Sequence, residues 1–237
     1  MPGPTLTETL LQPILDSDPA GPRITYYDDA TSERIELSAV TLANWAAKTA
    51  NFLRDDFGFA PGGVVAVALP AHWQTAAVLL GAWWAGADVV LDATAPSDVA
   101  LVTAEGVESA QADEVVAFSL DAFGKAVPDL PIGVTDYATS VRVHGDQFVP
   151  SGAGHAVLDG RAVDDVLAAA RARAAQRGFT ATDRVLSSAA WSTADDLVDG
   201  LLSVLVVGAS LVQVSNPNST SAERRIATEK VTAVLDG

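Results

Sequence analysis

The chain of 237 residues contains no cysteine, and its acidic side chains outnumber its basic ones by 30 to 14. Without cysteine there is no disulfide, no thiolate metal site and no cysteine nucleophile. A formal net charge of −16 argues against nucleic acid as a partner, because phosphate binding needs clustered Lys and Arg. Lysine is scarce as well: Lys48, Lys125 and Lys230 stand beside eleven arginines, so a mechanism that needs a lysine must draw on one of those three. The three histidines, His72, His144 and His155, are scattered without H-E-x-x-H spacing and predict no zinc site. Long apolar runs are missing too. The longest, about 75–87 and 201–212, fall short of the ~20 residues a membrane span needs. The start, Met1-Pro-Gly-Pro-Thr5, lacks the basic segment of a secretory signal. These absences predict a cytoplasmic protein with no membrane insertion.

What is present is an ordinary globular composition, 49% apolar and 19% charged. The first segment reads as turn-rich; Arg23–Tyr27 and Ile35–Leu37 then read as a hairpin around a polar turn, with Ser38 as the N-cap of a helix that Gly58 closes. The runs 64–69 and 88–91 are joined by an apolar helix ending at Gly86, a βαβ pattern with buried parallel strands. Strands at 99–103 and 114–118 follow, then a loop-rich stretch rich in Gly, Pro and Asp. A helix from about Arg161 to Gln176 leads into a second βαβ unit, with strands at 184–188 and 210–214 and a helix near 194–207. A last helix (about 222–230) and a strand (231–235) complete the pattern. Gly58-Phe59 and Gly178-Phe179 precede the two opening strands, and Gly86-Ala87 and Gly208-Ala209 precede the two closing ones. The expected class is α/β: a layered αβα arrangement with a mainly parallel sheet, in which 64–69, 88–92, 184–189 and 210–214 lie together. The chain is read as one domain, 1–237, with a loop-rich crossover at about 121–155.

The segment Ala60-Pro-Gly-Gly-Val-Val-Ala-Val-Ala-Leu-Pro70, continuing to Ala85-Gly-Ala-Asp-Val-Val90, resembles the "pGD-x-V-x-x-x-x-P … AGA" segment of the adenylate-forming (ANL) superfamily. That superfamily holds acyl-CoA synthetases, adenylation domains and luciferases. Gly63 stands where the family usually has Asp. Gly178–Ser188, Gly208–Val214 and Glu229–Val234 are similar to later family segments in the same order. The resemblance covers most of the chain but only the N-terminal half of an ANL enzyme, and it is closest in kind to the short stand-alone ANL-like proteins of actinobacteria. It implies the fold of an ANL N-terminal subdomain.

The resemblance also places the family's phosphate loop, roughly S/T-S-G-T/S-T-G-x-P-K-G, at Pro150-Ser-Gly-Ala-Gly-His-Ala-Val-Leu-Asp-Gly160. Ser151, Gly152 and Gly154 match, with His155 beside them, while the second hydroxyl, the proline and the lysine are missing. Hydroxyls and backbone amides hold phosphates and a lysine supplies point charge on them. The residual loop therefore implies weak ATP or AMP binding at most, with no resident cofactor. A Gly-rich loop leading into a helix is the plainer reading of the same residues. Ser151, His155 and Asp159 lack the G-x-S-x-G setting of a hydrolase. Asp195, Asp196 and Asp199 could bind a metal, yet the first two fit a helix's first turn, where negative charge is favoured, and a solvated face explains the set. Trp83 and Trp84 read as packing residues. No catalytic residue and no metal ligand is assigned.

Three functions fit. The first is a non-catalytic ANL-like pseudoenzyme acting as a binding or assembly module. The second is a partial acyl-adenylating enzyme completed by another chain. The third is an unrelated α/β enzyme using the cleft at the carboxyl ends of its parallel strands. Because the resembling enzymes pack this half against a further subdomain, a homodimer or another protein partner is expected, seamed by the apolar helices 76–87 and 197–207.

Overall fold

The computed structural model describes residues 3–235. In chain order the elements are α1 (Leu6–Ser17), β1 (Pro22–Asp28), β2 (Glu33–Ser38), α2 (Ala39–Phe57), β3 (Val64–Ala68), α3 (Trp73–Trp84), β4 (Asp88–Val90), β5 (Ser97–Thr103) and β6 (Ala112–Phe118). There follow β7 (Val134–Asp136), α4 (Tyr137–Ser140), α5 (Val163–Arg177), β8 (Arg184–Ser187), α6 (Ala194–Leu197), α7 (Ser203–Leu205), β9 (Ser210–Ser215), α8 (Ser219–Glu229) and β10 (Ala233–Leu235).

These elements form two compact units. The first comprises Met1–Thr9, Ala43–Leu69 and Ala77–Val163, and the second Leu10–Leu42, Pro70–Ala76 and Asp164–Gly237. The first unit is built on a five-stranded sheet in the order β4-β3-β5-β6-β7, parallel throughout. Parallel strands are covered on both faces, which is why Val64-Val-Ala-Val-Ala68 shows no alternation. The second unit carries a sheet in the order β10-β8-β9-β1-β2, parallel except for the β1–β2 hairpin.

The α/β class and the mainly parallel pairing hold, and the single-sheet arrangement is corrected. Strands 64–69 and 88–92 belong to one sheet, 184–189 and 210–214 to another. The reason lies at the strand edges. The edge of β9 that a neighbouring βαβ unit would take is occupied by β1 of the N-terminal hairpin. The outer edge of β4 is closed by a bridge from Val89 to Leu158.

Local signals explain most boundaries. Ser38 Oγ accepts the Thr41 amide at 3.2 Å, the capping bond expected of it. Thr193 and Asp196 form a capping box at α6, and Asp195 and Asp196 sit in that helix's first turn. Each of the glycine pairs ends a helix in the same way. In the first unit Gly86 has φ +86°, its amide bonded to Trp83 O and that of Ala87 to Ala82 O. In the second unit Gly208 has φ +78°, with Gly208 N bonded to Leu205 O and Ala209 N to Val204 O. Both are Schellman endings, which require a left-handed residue after the helix.

Two elements differ from expectation. The N-terminal segment, read as turns, is helix α1, with Pro13 inside it; Leu6, Leu10, Leu11 and Ile14 form its buried stripe. The helix near 194–207 is interrupted by a π turn at Val198–Leu202, so α6 and α7 are short. The apolar helices assigned to a dimer seam are themselves buried: Val78, Leu79, Leu80, Trp83, Leu197, Leu201 and Leu202 are all fully enclosed. The large apolar side chains left exposed lie elsewhere, and four of the most exposed, Phe123, Ile132, Val143 and Val149, fall in the loop-rich stretch.

In the second unit His72 is buried against Tyr26, ring centroids 4.3 Å apart, and its Nδ1 accepts the Gln74 amide at 3.1 Å. Burial pushes its pKa down from 6.5 to about 4, against the weaker pull of Asp28. The unfolded chain therefore takes up this proton first on acidification. Stability is full above pH ~6.5 and falls progressively until pH ~4, a loss of about 3 kcal/mol at 1.36 kcal/mol per unit. Urea melts across that pH range are expected to show the slope in the parent and not in His72→Phe.

Candidate functional site

The segment Pro150–Gly160, expected to be a residual phosphate loop, lies in the first unit. Ser151 and His155 are exposed, and Gly152 and Gly154 are half-buried. The loop's floor is backbone. A Cβ on Gly154 would lie 2.6 Å from Gly86 O and 3.3 Å from Gly62 Cα, and one on Gly86 would lie 2.9 Å from Gly152 O. Gly62 N in turn donates to Gly86 O at 2.8 Å. Three glycines thus let the loop, the turn before β3 and the end of α3 meet backbone to backbone, a use of glycine that the Pro-Gly-Gly and Ala-Gly-Ala runs signal in the sequence.

Beyond Ala156 the chain is tied to β4. Val89 N donates to Val157 O at 3.1 Å, Asp159 N to Val89 O at 2.9 Å, and Trp83 Nε1 to Val157 O at 2.6 Å. Asp159 and Gly160 both have positive φ and turn the chain back so that Arg161 N reaches Leu158 O at 3.0 Å. Gly160 N points at both carboxylate oxygens of Asp88, 3.2 and 3.1 Å away. Burial raises the Asp88 pKa, the Gly160 bond opposing and Asp159 adding to the rise.

Charge near the loop is sparse. Lys48 Nζ is engaged with His144 O at 2.5 Å, and Lys125 and Lys230 belong to other segments. Between Ser151 and Ala156 no backbone amide donates to another backbone group among the described residues. The first turn of α5 carries Asp164 and Asp165, placed where a helix favours negative charge. Ser151, His155 and Asp159 share no hydrogen bond among the described residues, so no triad is assembled. No cluster of three metal-ligating side chains occurs among the described residues. Asp199 is not on a purely solvated face: it pairs with Arg173 at 3.0 Å and Arg177 at 3.4 Å, tying the π turn to α5.

Gly63, where the resembling family has Asp, has a local explanation. Asp98 of β5 accepts the Val64 amide at 2.7 Å, and a Cβ on Gly63 would lie 2.7 Å from that carboxylate and 2.8 Å from the Phe59 ring. The carboxylate that holds this turn comes from the neighbouring strand. Gly63→Asp is expected to destabilise by about 1–3 kcal/mol through overpacking and like charge, and Asp98→Ala by about 1–2 kcal/mol. The double variant should cost less than the sum in a urea-melt cycle.

The fold has counterparts among solved acyl- and aryl-CoA ligases. An acyl-CoA synthetase of Brucella canis superposes with a TM-score of 0.79 at 17% identity, covering 98% of this chain and 47% of that one. An anthranilate CoA ligase bound to anthranoyl-AMP gives 0.72 at 14% identity, and a benzoate CoA ligase of Burkholderia xenovorans 0.71 at 15%, each covering 97% of this chain and 49% of its own. The chain spans about half the length of the solved structures it matches, and at these identities the likeness is one of fold. No protein-family model matches the chain. A Mycobacterium tuberculosis protein described as a TIGR03089 family protein is 59% identical over 239 residues, 98% of each chain. The chain belongs to the TIGR03089 family.

No helix among the described residues is long and apolar enough to cross a membrane. Sequence reading missed the side chains that hold the loop's approach. Lys48, Asn51 and Arg54 reach it from α2, across a gap of up to 96 residues. The bonds of Lys48 and Asn51 go to backbone carbonyls, Arg54 donates to Asn51 Oδ1, and none of them leaves a motif.

Proposed function

We propose that this protein is a non-catalytic ANL-like domain, a pseudoenzyme that acts as a binding or assembly module in the cytoplasm. The observation that carries this reading is the loop itself. The amides of Ser151, Gly152, Gly154 and His155 donate to no other backbone group among the described residues, yet no lysine stands on the loop and Leu158 is bridged to β4. Backbone amides alone attract an anion. Catalysis of adenylation needs fixed positive charge on the transferring phosphate, and each missing charge-assisted contact forfeits about 1.5–3 kcal/mol. Weak ATP or AMP binding without turnover is the expected outcome.

ATP–pyrophosphate exchange with a panel of acyl and aryl acids tests the catalytic half of this reading, and no exchange above the protein-free rate is expected. Calorimetric titration with ATP and AMP tests the other half. Sub-micromolar ATP affinity, or exchange by the isolated chain, overturns it. A homodimer or protein partner fits the same role, supported by the exposed Phe123, Ile132, Val143 and Val149. Light scattering over a tenfold dilution series is expected to show a mass above that of one chain. A single-chain mass throughout, with no co-purifying protein, removes that part.

A further inference from the structure

The segment that leads into the loop is held in an unusual way. From Gly145 to Ala156 no backbone amide donates to another backbone group among the described residues. The last such bond before the segment is His144 N to Val141 O at 3.3 Å, and the first after it is Val157 N to Arg161 O at 2.8 Å. Secondary structure therefore does not fix these twelve residues; side chains of α2 hold Gly145–Phe148, and Gly152 and Gly154 lie against the backbone of Gly86 and Gly62.

Asn51 is the centre of that grip. It is 6% exposed, and its Nδ2 donates to Gly145 O and to Gln147 O, both at 2.9 Å. Arg54 Nη2 donates to Asn51 Oδ1 at 2.7 Å, which orients the amide so that both of its hydrogens face the segment. Lys48 takes the preceding carbonyl, that of His144. Phe148 lies under the Arg54 guanidinium, 4.9 Å from it, and meets the Trp84 ring edge-on at 6.0 Å. The His144 ring rests on Phe52 at 5.6 Å, with Asp55 and Asp56 3.8 and 3.4 Å from its nitrogens.

The closed arrangement also carries a cost. Trp84 Nε1 is buried without a hydrogen-bond partner, a donor that water would satisfy if Phe148 lifted away. Side-chain clamps on one side and an unsatisfied donor on the other describe an element with two states.

We propose that Gly145–Ala156 is a strap that opens as a unit between His144 and Val157, held shut by Asn51, and that this clamp sets the position of Ser151–Ala156. Asn51 is a positioning residue here. The proposal is independent of whether the loop binds an anion, because the strap's motion is read without ligand.

The absence of cysteine makes the test direct. A nitroxide on Val149→Cys, a strap position 81% exposed, reports the strap. One on Val234→Cys, a β10 position 53% exposed, reports the second unit. Asn51→Asp keeps the shape and removes both donors. It is expected to raise the mobile fraction at position 149 by about fivefold or more, as loss of two neutral hydrogen bonds implies, and to leave position 234 unchanged. A strap label already fully mobile in the parent, a label equally immobile in Asn51→Asp, or equal loosening at both positions overturns the proposal. If Asn51→Asp does not fold, Phe148→Ala and Lys48→Met carry the same comparison: strap mobility rising in both sustains the proposal, and immobility in both overturns it.

Discussion

Glu229→Ala is expected to lower the stability of the second unit by about 3–5 kcal/mol, the cost of removing one partner from a buried ion pair. Glu229 ends α8 with its side chain 4% exposed. Its carboxylate accepts from Tyr27 OH, from Arg184 and from Arg34 Nε at 3.0 Å. Arg184, 15% exposed, also reaches Thr25 at 2.9 Å and Glu36 at 3.2 Å. The alanine variant leaves that guanidinium with one carboxylate where it had two. Arg34 is 44% exposed, so Arg34→Ala should cost no more than about 1 kcal/mol, and the contrast between the two variants isolates burial from charge. Burial raises the Glu229 pKa, but the bonds from Tyr27, Arg184 and Arg34 outweigh it and hold the group below the ordinary glutamate range. The sign follows. The stabilisation is complete above the unfolded glutamate pKa and is lost as pH falls through the lower folded value. Urea melts followed by circular dichroism at pH 7 measure the loss for each variant, and a pH series continued below 4.5 follows the titration of Glu229. A loss under about 1 kcal/mol for Glu229→Ala at pH 7 would show that the network is solvated.

Which of these features could be read from the sequence follows from the range of the interactions. Strand and helix positions were legible where a local rule decided them: Val64–Ala68 by its β-branched run, Ser38 by capping, Gly86 and Gly208 by the left-handed ending. Helix α1 was hidden because Pro13 and the Gly-Pro-rich start read as turns, while burial of Leu6, Leu10 and Ile14 overrode that preference. The split into two sheets was hidden because strand partners are chosen by long-range pairing, β1 with β9 in particular. That 150–156 is irregular was legible through Gly152 and Gly154. Its clamp, Asn51, was not, since side chain-to-carbonyl bonds have no fixed spacing. The Glu229 network shows the same limit: Tyr27, Arg34, Arg184 and Glu229 come together only once β1, β2, β8 and α8 are assembled.

Gly86→Ala is expected to destabilise the first unit by about 3 kcal/mol or more, and comparison with two other glycines separates the causes. Gly58, Gly86 and Gly208 all have positive φ, +65°, +86° and +78°. Alanine at any of them bears the left-handed cost of about 1–2 kcal/mol. What differs is the surroundings. A Cβ at Gly58 meets nothing within 4 Å, and one at Gly208 meets Ala181 Cβ at 3.6 Å, an ordinary contact. At Gly86 it lies 2.8 Å from Pro61 Cβ and 2.9 Å from Gly152 O. These are atoms of a turn and of the residual loop, and neither is the free end of a flexible side chain, so overpacking adds about 1–3 kcal/mol. The predicted order of loss is Gly86 well above Gly208 and Gly58, which should agree within about 0.5 kcal/mol. The displaced neighbour is the Gly152 carbonyl, so Gly86→Ala should also mobilise a nitroxide at position 149, an effect the Gly58 variant lacks. Equal losses for all three alanine variants in urea melts would mean that the loop yields freely, and the packed glycine floor would then not hold the site.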